Sequence, residues 1–251
     1  MTALLDIENA TRRFGGLVAV DHVSTAVRAR EIVGLIGPNG AGKTTLFNLI
    51  SGFTALSAGA IRFRGRSIGG LAPYRIARLG IGRTFQNLRI FPNLTVFDNV
   101  SVGAIGTLRA SALDALRPGA PRSREISRRA EQALEQVGLG ARADELAANL
   151  SYGERKYLEI ARALAMGPEL LILDEPAAGL NDTETRALAD FIRRIHAEGM
   201  TVLLVEHDMT LVMGLCERIV VLASGRKIAD APPEAVRRDP AVLEAYLGAD
   251  A

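Results

Sequence analysis

The chain is poor in the residues that mark secreted, membrane-spanning or nucleic-acid-binding proteins. Its single cysteine, Cys216, excludes an internal disulfide framework and suits a reducing compartment. Tryptophan is absent and aromatics make up only 5%, so no aromatic-rich basic face is available to nucleic acid. Neither sign of charge dominates: Lys+Arg 30 stand against Asp+Glu 28, which implies no strong pull on nucleic acid. The opening Met1-Thr2-Ala3-Leu4-Leu5-Asp6 has neither the basic stretch nor the long apolar core of a secretory signal. No apolar run approaches the roughly 20 residues that span a bilayer. The expectation is a protein kept in the cytoplasm, anchored by another chain if it works at a membrane. What is present is ample core material: 251 residues at 48% hydrophobic suffice for one large α/β domain with an inserted piece, or for two small domains.

One run dominates the rest. Gly37-Pro38-Asn39-Gly40-Ala41-Gly42-Lys43-Thr44 fits G-x-x-x-x-G-K-[ST], the loop that cradles nucleotide phosphates. Its context is right: Ile32–Ile36 is an apolar strand leading in, and Thr45 to Ser51 is a helical pattern leading out. Glycines allow positive φ and close backbone approach to phosphate. A helix start adds unpaired N–H groups and the positive end of the dipole. Lys43 is expected on the β and γ phosphates and the Thr44 hydroxyl on Mg²⁺. A chance glycine-rich turn accounts poorly for eight matched positions in a strand–helix setting, so the chain is expected to bind a nucleoside triphosphate.

The remainder reads as alternating strands and helices. The first thirty residues carry strand patterns, and Ile61–Phe63 with Gly65 suggests a short edge hairpin. A helical pattern starts at Pro73 and breaks at Gly80-Ile81-Gly82. Asn99 to Gly138 reads as a helical insertion with a loose basic connector around Arg122, Arg124, Arg128 and Arg129; within it Glu125 to Val137 is an amphipathic helix. Ser151 and Glu154 form a capping box that opens another helix, closed by Gly167-Pro168. Strand Leu170–Leu173, helix Thr183–His196, strand Thr201–Val205, helix Met209–Cys216 and strand Ile219–Ala223 then alternate, which argues for a parallel sheet.

Two strand ends carry chemistry. Leu170-Leu171-Ile172-Leu173 runs into Asp174-Glu175, and paired carboxylates at the end of a buried strand are costly without a task. In open α/β sheets that end binds ligand. Asp174 is placed to hold Mg²⁺ through water, and Glu175 to orient or deprotonate the attacking water. Thr201–Val205 ends at Glu206-His207-Asp208, where His207 would sense the γ-phosphate if the strands are neighbours. Gln86 and Phe14 are individually bland: a polar loop residue, and an aromatic that either packs or stacks on adenine.

With these residues assembled, the chain resembles the ATP-binding cassette (ABC) ATPases of transporters over nearly its whole length. Phe14 takes the place of the adenine-stacking aromatic, and Gly37 to Thr44, with Thr45, that of Walker A. Gln86 stands as the Q-loop glutamine, a catalytic and metal-coordinating group together with Thr44 and Asp174. Leu150-Ser151-Tyr152-Gly153-Glu154 stands where the family signature reads Leu-Ser-Gly-Gly-Gln; Tyr152 and Glu154 depart from it, while the Ser151 hydroxyl and Gly153 backbone are kept. Leu170–Glu175 is Walker B and His207 the switch histidine. Arg83-Thr84-Phe85-Gln86, Ala177-Ala178-Gly179-Leu180-Asn181, Glu206-His207-Asp208-Met209 and Ala245-Tyr246-Leu247-Gly248 look like the larger ATPase of branched-chain amino acid importers.

The resemblance implies an α/β P-loop core (1–87 and 168–251) with an N-terminal antiparallel portion and a helical subdomain (88–167) carrying the signature. It implies ATP and Mg²⁺ as ligands, and catalytic Glu175, His207, Gln86 and Lys43. It also implies two membrane permease subunits as partners, met near Asn87 to Thr95, and a place on the cytoplasmic face of the membrane. A second, related ATPase would contact this chain's signature helix through ATP, as a heterodimer or a homodimer. An extracytoplasmic solute-binding protein takes part indirectly, and nucleic acid takes none. ATPases for urea, short amides or lipopolysaccharide export share several of these strings. A P-loop kinase would need an acceptor site and lid that nothing marks. Cassettes acting on DNA or ribosomes usually carry two cassettes or long insertions in one chain.

Overall fold

The computed structural model describes residues 3–86, 88–107 and 121–247; Pro118, Gly119 and the position-87 end of the expected docking segment lie outside them. Two sheets form the frame. In the first, β1 (Ala3–Phe14) and β2 (Leu17–Arg28) pair antiparallel across the two-residue Gly15-Gly16 turn. Gly15 there has φ 58°, which glycine adopts without penalty. The hairpin β4 (Ala58–Phe63) and β5 (Arg66–Ser67) extends this sheet to the order β2-β1-β4-β5.

The second sheet has six strands. They are β3 (Ile32–Ile36), β6 (Ile81–Arg83), β7 (Leu170–Asp174), β8 (Thr201–Val205), β9 (Arg218–Ala223) and β10 (Arg226–Ala231), in the order β10-β9-β3-β8-β7-β6. All its pairings are parallel except β10 with β9, joined by the Ser224-Gly225 turn with both residues at positive φ. Apart from Thr201 and Asp174 at their ends, the central strands β3, β7 and β8 are apolar because both faces are covered. Side chains alternate between two cores. Val33, Leu35, Ile172, Leu203 and Val220 face the antiparallel sheet and helix α1 (Lys43–Ile50). Ile32, Ile36, Leu171, Leu173 and Leu204 face the helices on the other side. Gly34 shares that second face: a side chain there would press on Cys216 and Val212, so the lone cysteine is a packing atom.

Helix α2 (Pro73–Leu79) stops at Gly80, at φ 110°. Three helices pack together beside the sheet: α3 (Val96–Thr107), α4 (Pro121–Gln136) and α5 (Tyr152–Leu164). Helices α6 (Asp182–Ala197) and α7 (Met209–Leu215) cross between strands, and α8 (Pro233–Val236) and α9 (Pro240–Leu247) close the chain. One expectation changes. Arg122, Arg124, Arg128 and Arg129 belong to α4 rather than to a loose connector. Glu125 accepts from both Arg128 and Arg129 one turn on, so the basic residues stabilise helix.

Candidate functional site

Strand order decides what meets. Since β8 lies between β3 and β7, the loops leaving the three C-terminal ends converge on one edge of the sheet. Those loops carry the Gly37–Thr44 run, Asp174-Glu175 and His207. They wall a cleft of 660 Å³ that Phe14, Asn39 to Thr45, Gln86, Glu175 and His207 line together.

Its floor is the start of α1. Gly37, Gly40 and Gly42 sit at φ 151°, 77° and 99°. A Cβ on Gly37 would collide with the Leu222 carbonyl and one on Gly42 with that of Ala19, so only glycine fits either place. The helix begins at Lys43, two residues earlier than its apolar pattern suggests, and no side chain caps it. No acidic residue stands in its first turn. Its leading N–H groups are thus left for an anion. Lys43 is buried, and its Nζ donates to the carbonyls of Gly37 (2.6 Å) and Pro38 (3.0 Å). Burial pulls its pKa below the ordinary lysine value, while the nearby Glu175 and Asp174 carboxylates push it back up. A cation held only by backbone carbonyls is a ready partner for phosphate oxygens.

Opposite lies Glu175, at φ 49°, an uncommon backbone conformation for a side chain-bearing residue. Gln86 Nε2 donates to its Oε2 at 2.8 Å, and His207 Nε2 lies 2.9 Å from its Oε1. Three residues brought from positions 86, 175 and 207 therefore form one hydrogen-bonded row along the cleft. Sequence reading missed two supports of that row. Lys156 of α5 is buried and reaches the Glu175 carbonyl at 3.3 Å. Glu206 is buried and accepts from the backbone N–H groups of Ala177 (2.7 Å) and His207 (3.1 Å). Burial raises its pKa against the opposing pull of those donors. A carboxylate directly before His207 was the only available clue.

Asp174 is buried at the end of β7, and its Oδ2 accepts from Arg83 at 2.9 Å. Thr44 is exposed on the first turn of α1. Asp174, Thr44 and Gln86 offer oxygen donors, the chemistry a hard divalent cation takes. Among the described residues no three His, Cys, Asp or Glu side chains cluster to hold a metal. Phe14 is 46% exposed at the cleft, and Arg12 covers one face of its ring at 4.4 Å.

Ser151 and Gly153 do not line this cleft. Ser151 caps α5, with its Oγ accepting from Glu154 N at 3.3 Å and Glu154 Oε2 accepting from Ser151 N at 2.8 Å. Arg142 also binds Glu154. Tyr152 Oη donates to the Ala178 carbonyl (3.2 Å), which ties the α5 start to the segment after β7.

A second, apolar groove of 450 Å³ opens beside Arg83, with Phe53, Tyr74, Phe85, Arg89 and Phe91 on its walls. Among the described residues no helix is long and apolar enough to cross a membrane.

Comparison with known proteins places the whole chain in one family. The "ABC transporter" family description matches residues 20–178, and "Branched-chain amino acid ATP-binding cassette transporter" matches residues 226–251. The high-affinity branched-chain amino acid transport ATP-binding protein LivG of Salmonella typhimurium is 46% identical over 249 residues, 98% of each chain. BraF of Pseudomonas aeruginosa, described in the same terms, is 45% identical over the same shares. A solved ATP-binding cassette of an ABC transporter in its ADP conformation superposes with TM-score 0.87 at 32% identity, covering 99% of this chain and 100% of that one. With its P-loop cleft and relatives matched end to end, this chain belongs to the ABC transporter family as a nucleotide-binding ATPase.

Proposed function

We propose that the chain hydrolyses ATP with Mg²⁺ to drive uptake of branched-chain, hydrophobic amino acids through a separate membrane permease. The observation that carries the chemistry is Glu175 held between Gln86 and His207 at the mouth of the P-loop cleft. Glu175 accepts the proton of the attacking water, and Gln86 and His207 keep its carboxylate aimed. Lys43 leaves its carbonyl partners for the β and γ phosphates, joined by the N–H groups of Gly40 and of Gly42 to Thr45. Phe14 stacks its free face on adenine. Asp174, Thr44 and Gln86 are the residues for Mg²⁺, which when bound neutralises charge developing on the phosphates.

The solute follows from the kinship of the whole chain with LivG and BraF and from the match at residues 226–251. Of the two permease subunits, one docks on the apolar groove and the adjoining segment to Thr95, where Phe53, Tyr74 and Phe91 are about half exposed. The helical piece, 88–167, presents Ser151 and Gly153 to nucleotide held by a second, related ATPase. A solute-binding protein delivers cargo on the far side, and this chain sits peripherally on the cytoplasmic face.

Replacing Glu175 by Gln keeps its shape and removes the proton acceptor. Turnover should fall by about 10²–10⁴-fold while ATP still binds. In cells lacking the chain, labelled leucine uptake should return with the parent and not with Glu175→Gln. Turnover within a few-fold of the parent defeats the chemical assignment; leucine uptake indifferent to the chain defeats the transport one.

A further inference from the structure

We propose that Arg83 is a positioning residue that links the apolar groove to the metal-binding carboxylate, setting how tightly Mg²⁺ is held with nucleotide. The proposal rests on the reading of Asp174 as the carboxylate that takes Mg²⁺. Arg83 ends β6, the edge strand, and its side chain is 7% exposed. Its fork joins two elements that the site needs in register. One arm donates to Asp174 Oδ2 at 2.9 Å. The other donates to Asn48 Oδ1 (2.9 Å) and Ser51 Oγ (2.6 Å), at the far end of the P-loop helix. A planar guanidinium can do this because its donors are fixed in direction; a lysine ammonium cannot.

What surrounds the fork makes it more than an ion pair. Three rings face the guanidinium carbon: Phe85 at 5.2 Å, Phe53 at 5.6 Å and Phe47 at 5.8 Å. Its Nε is buried without a hydrogen-bond partner, so the aromatic faces supply that side of its environment. Phe53 and Phe85 meet edge to face at 5.5 Å, and both line the groove together with Arg83 itself. Phe53 is half exposed there. Whatever fills the groove therefore presses on the cage of the side chain that donates to the Asp174 carboxylate. A purely structural arginine would stabilise the fold and leave metal affinity alone. A second-layer partner of a metal ligand tunes it, with losses of about 10–100-fold when removed.

The test uses the full chain, a non-hydrolysable ATP analogue and MgCl₂. Calorimetry gives analogue affinity in EDTA and across a Mg²⁺ series for the parent, Arg83→Lys, Phe53→Leu and Asp174→Asn. Arg83→Lys should need about tenfold more Mg²⁺ for half of the metal-dependent gain, at the lower end of that range, with affinity in EDTA within about twofold of the parent. Phe53→Leu, at a half-exposed position that does not endanger folding, should shift the same midpoint about threefold through the lost ring contact. A midpoint unmoved in Arg83→Lys overturns the proposal. Should that variant fail to fold, an unmoved midpoint in Phe53→Leu overturns it equally. If Asp174→Asn itself leaves the Mg²⁺ midpoint unchanged, the proposal falls with the assignment of Asp174, and the fault is located there rather than at Arg83.

Discussion

Two helix starts in this molecule are built in opposite ways. Helix α1 opens at Gly42 with no side-chain cap and no acid in its first turn, next to a buried lysine whose hydrogen bonds among the described residues go to carbonyls. Helix α5 opens at Ser151 with both halves of a capping box made, and with Arg142 on its glutamate. Both sit where the family reading puts a phosphate. The difference teaches how each can serve. The α1 start binds by leaving its N–H donors free, whereas the α5 start has already satisfied one of them from its own hydroxyl. What α5 keeps for an anion is the Ser151 hydroxyl proton, since Oγ acts only as acceptor inside the cap, together with the N–H groups of Tyr152 and Gly153 that the cap does not use. One start has the free donors to hold nucleotide alone; the other is stable without it and has fewer donors to offer a neighbour.

The largest effect should come at the open start. Lys43→Ala removes a charge-assisted contact to phosphate of about 1.5–3 kcal/mol, which is roughly 10–150-fold in ATP affinity by calorimetry. The melting temperature should hold or rise, because burial already disfavours this ammonium and no carboxylate pairs with it directly. Unchanged affinity would show that the two starts do not differ as described.

At the closed start the affected readout changes from affinity to stability. Ser151→Ala removes the cap and should cost about 1 kcal/mol, or about 3 °C in melting temperature, while this chain's own ATP affinity stays put. The hydrolysis rate should rise more than linearly with protein concentration in the parent, so that specific activity climbs with concentration, and less so in Ser151→Ala. A parent activity independent of concentration would make Ser151 a cap and nothing more.

What the sequence made readable follows the same division. The P-loop, the Asp174-Glu175 pair and the Ser151/Glu154 box are contiguous or nearly so, and each declares a geometry by spacing alone. The neighbour relation of β8 to β7 and β3, which seats His207 by Glu175, could be stated only as a condition. Arg83 on Asp174, Arg142 on Glu154 and Lys156 on the Glu175 carbonyl were invisible, because each partner comes from a distant element and a lone basic residue has no period to betray it. Boundaries slipped where local pattern and tertiary need diverge. Helix α1 starts at Lys43 because the preceding glycine turn sets its first donors toward the cleft; its apolar residues begin later because only they face the core.

The smallest effect tests whether charge or shape closes the α5 cap. Glutamine at position 154 can still return a hydrogen bond to the Ser151 N–H, so the box survives in outline. What it loses is the negative charge at a helix N-terminus and toward Arg142. For a partly exposed group that is a few tenths of a kcal/mol at neutral pH. The pH dependence separates the two contributions. The Ser151 backbone N–H, then Arg142, hold the Glu154 carboxyl below its ordinary 4.5. A carboxyl depressed in the folded state stabilises above its unfolded pKa, and that stabilisation is lost as pH falls through the folded one. Urea unfolding of the parent and Glu154→Gln should therefore differ by a small, constant amount from pH 7 down to about 4.5. Below that the gap should shrink, with the parent falling toward the variant. A gap constant to pH 3 would mean that the charge contributes nothing and that shape alone keeps the α5 start closed.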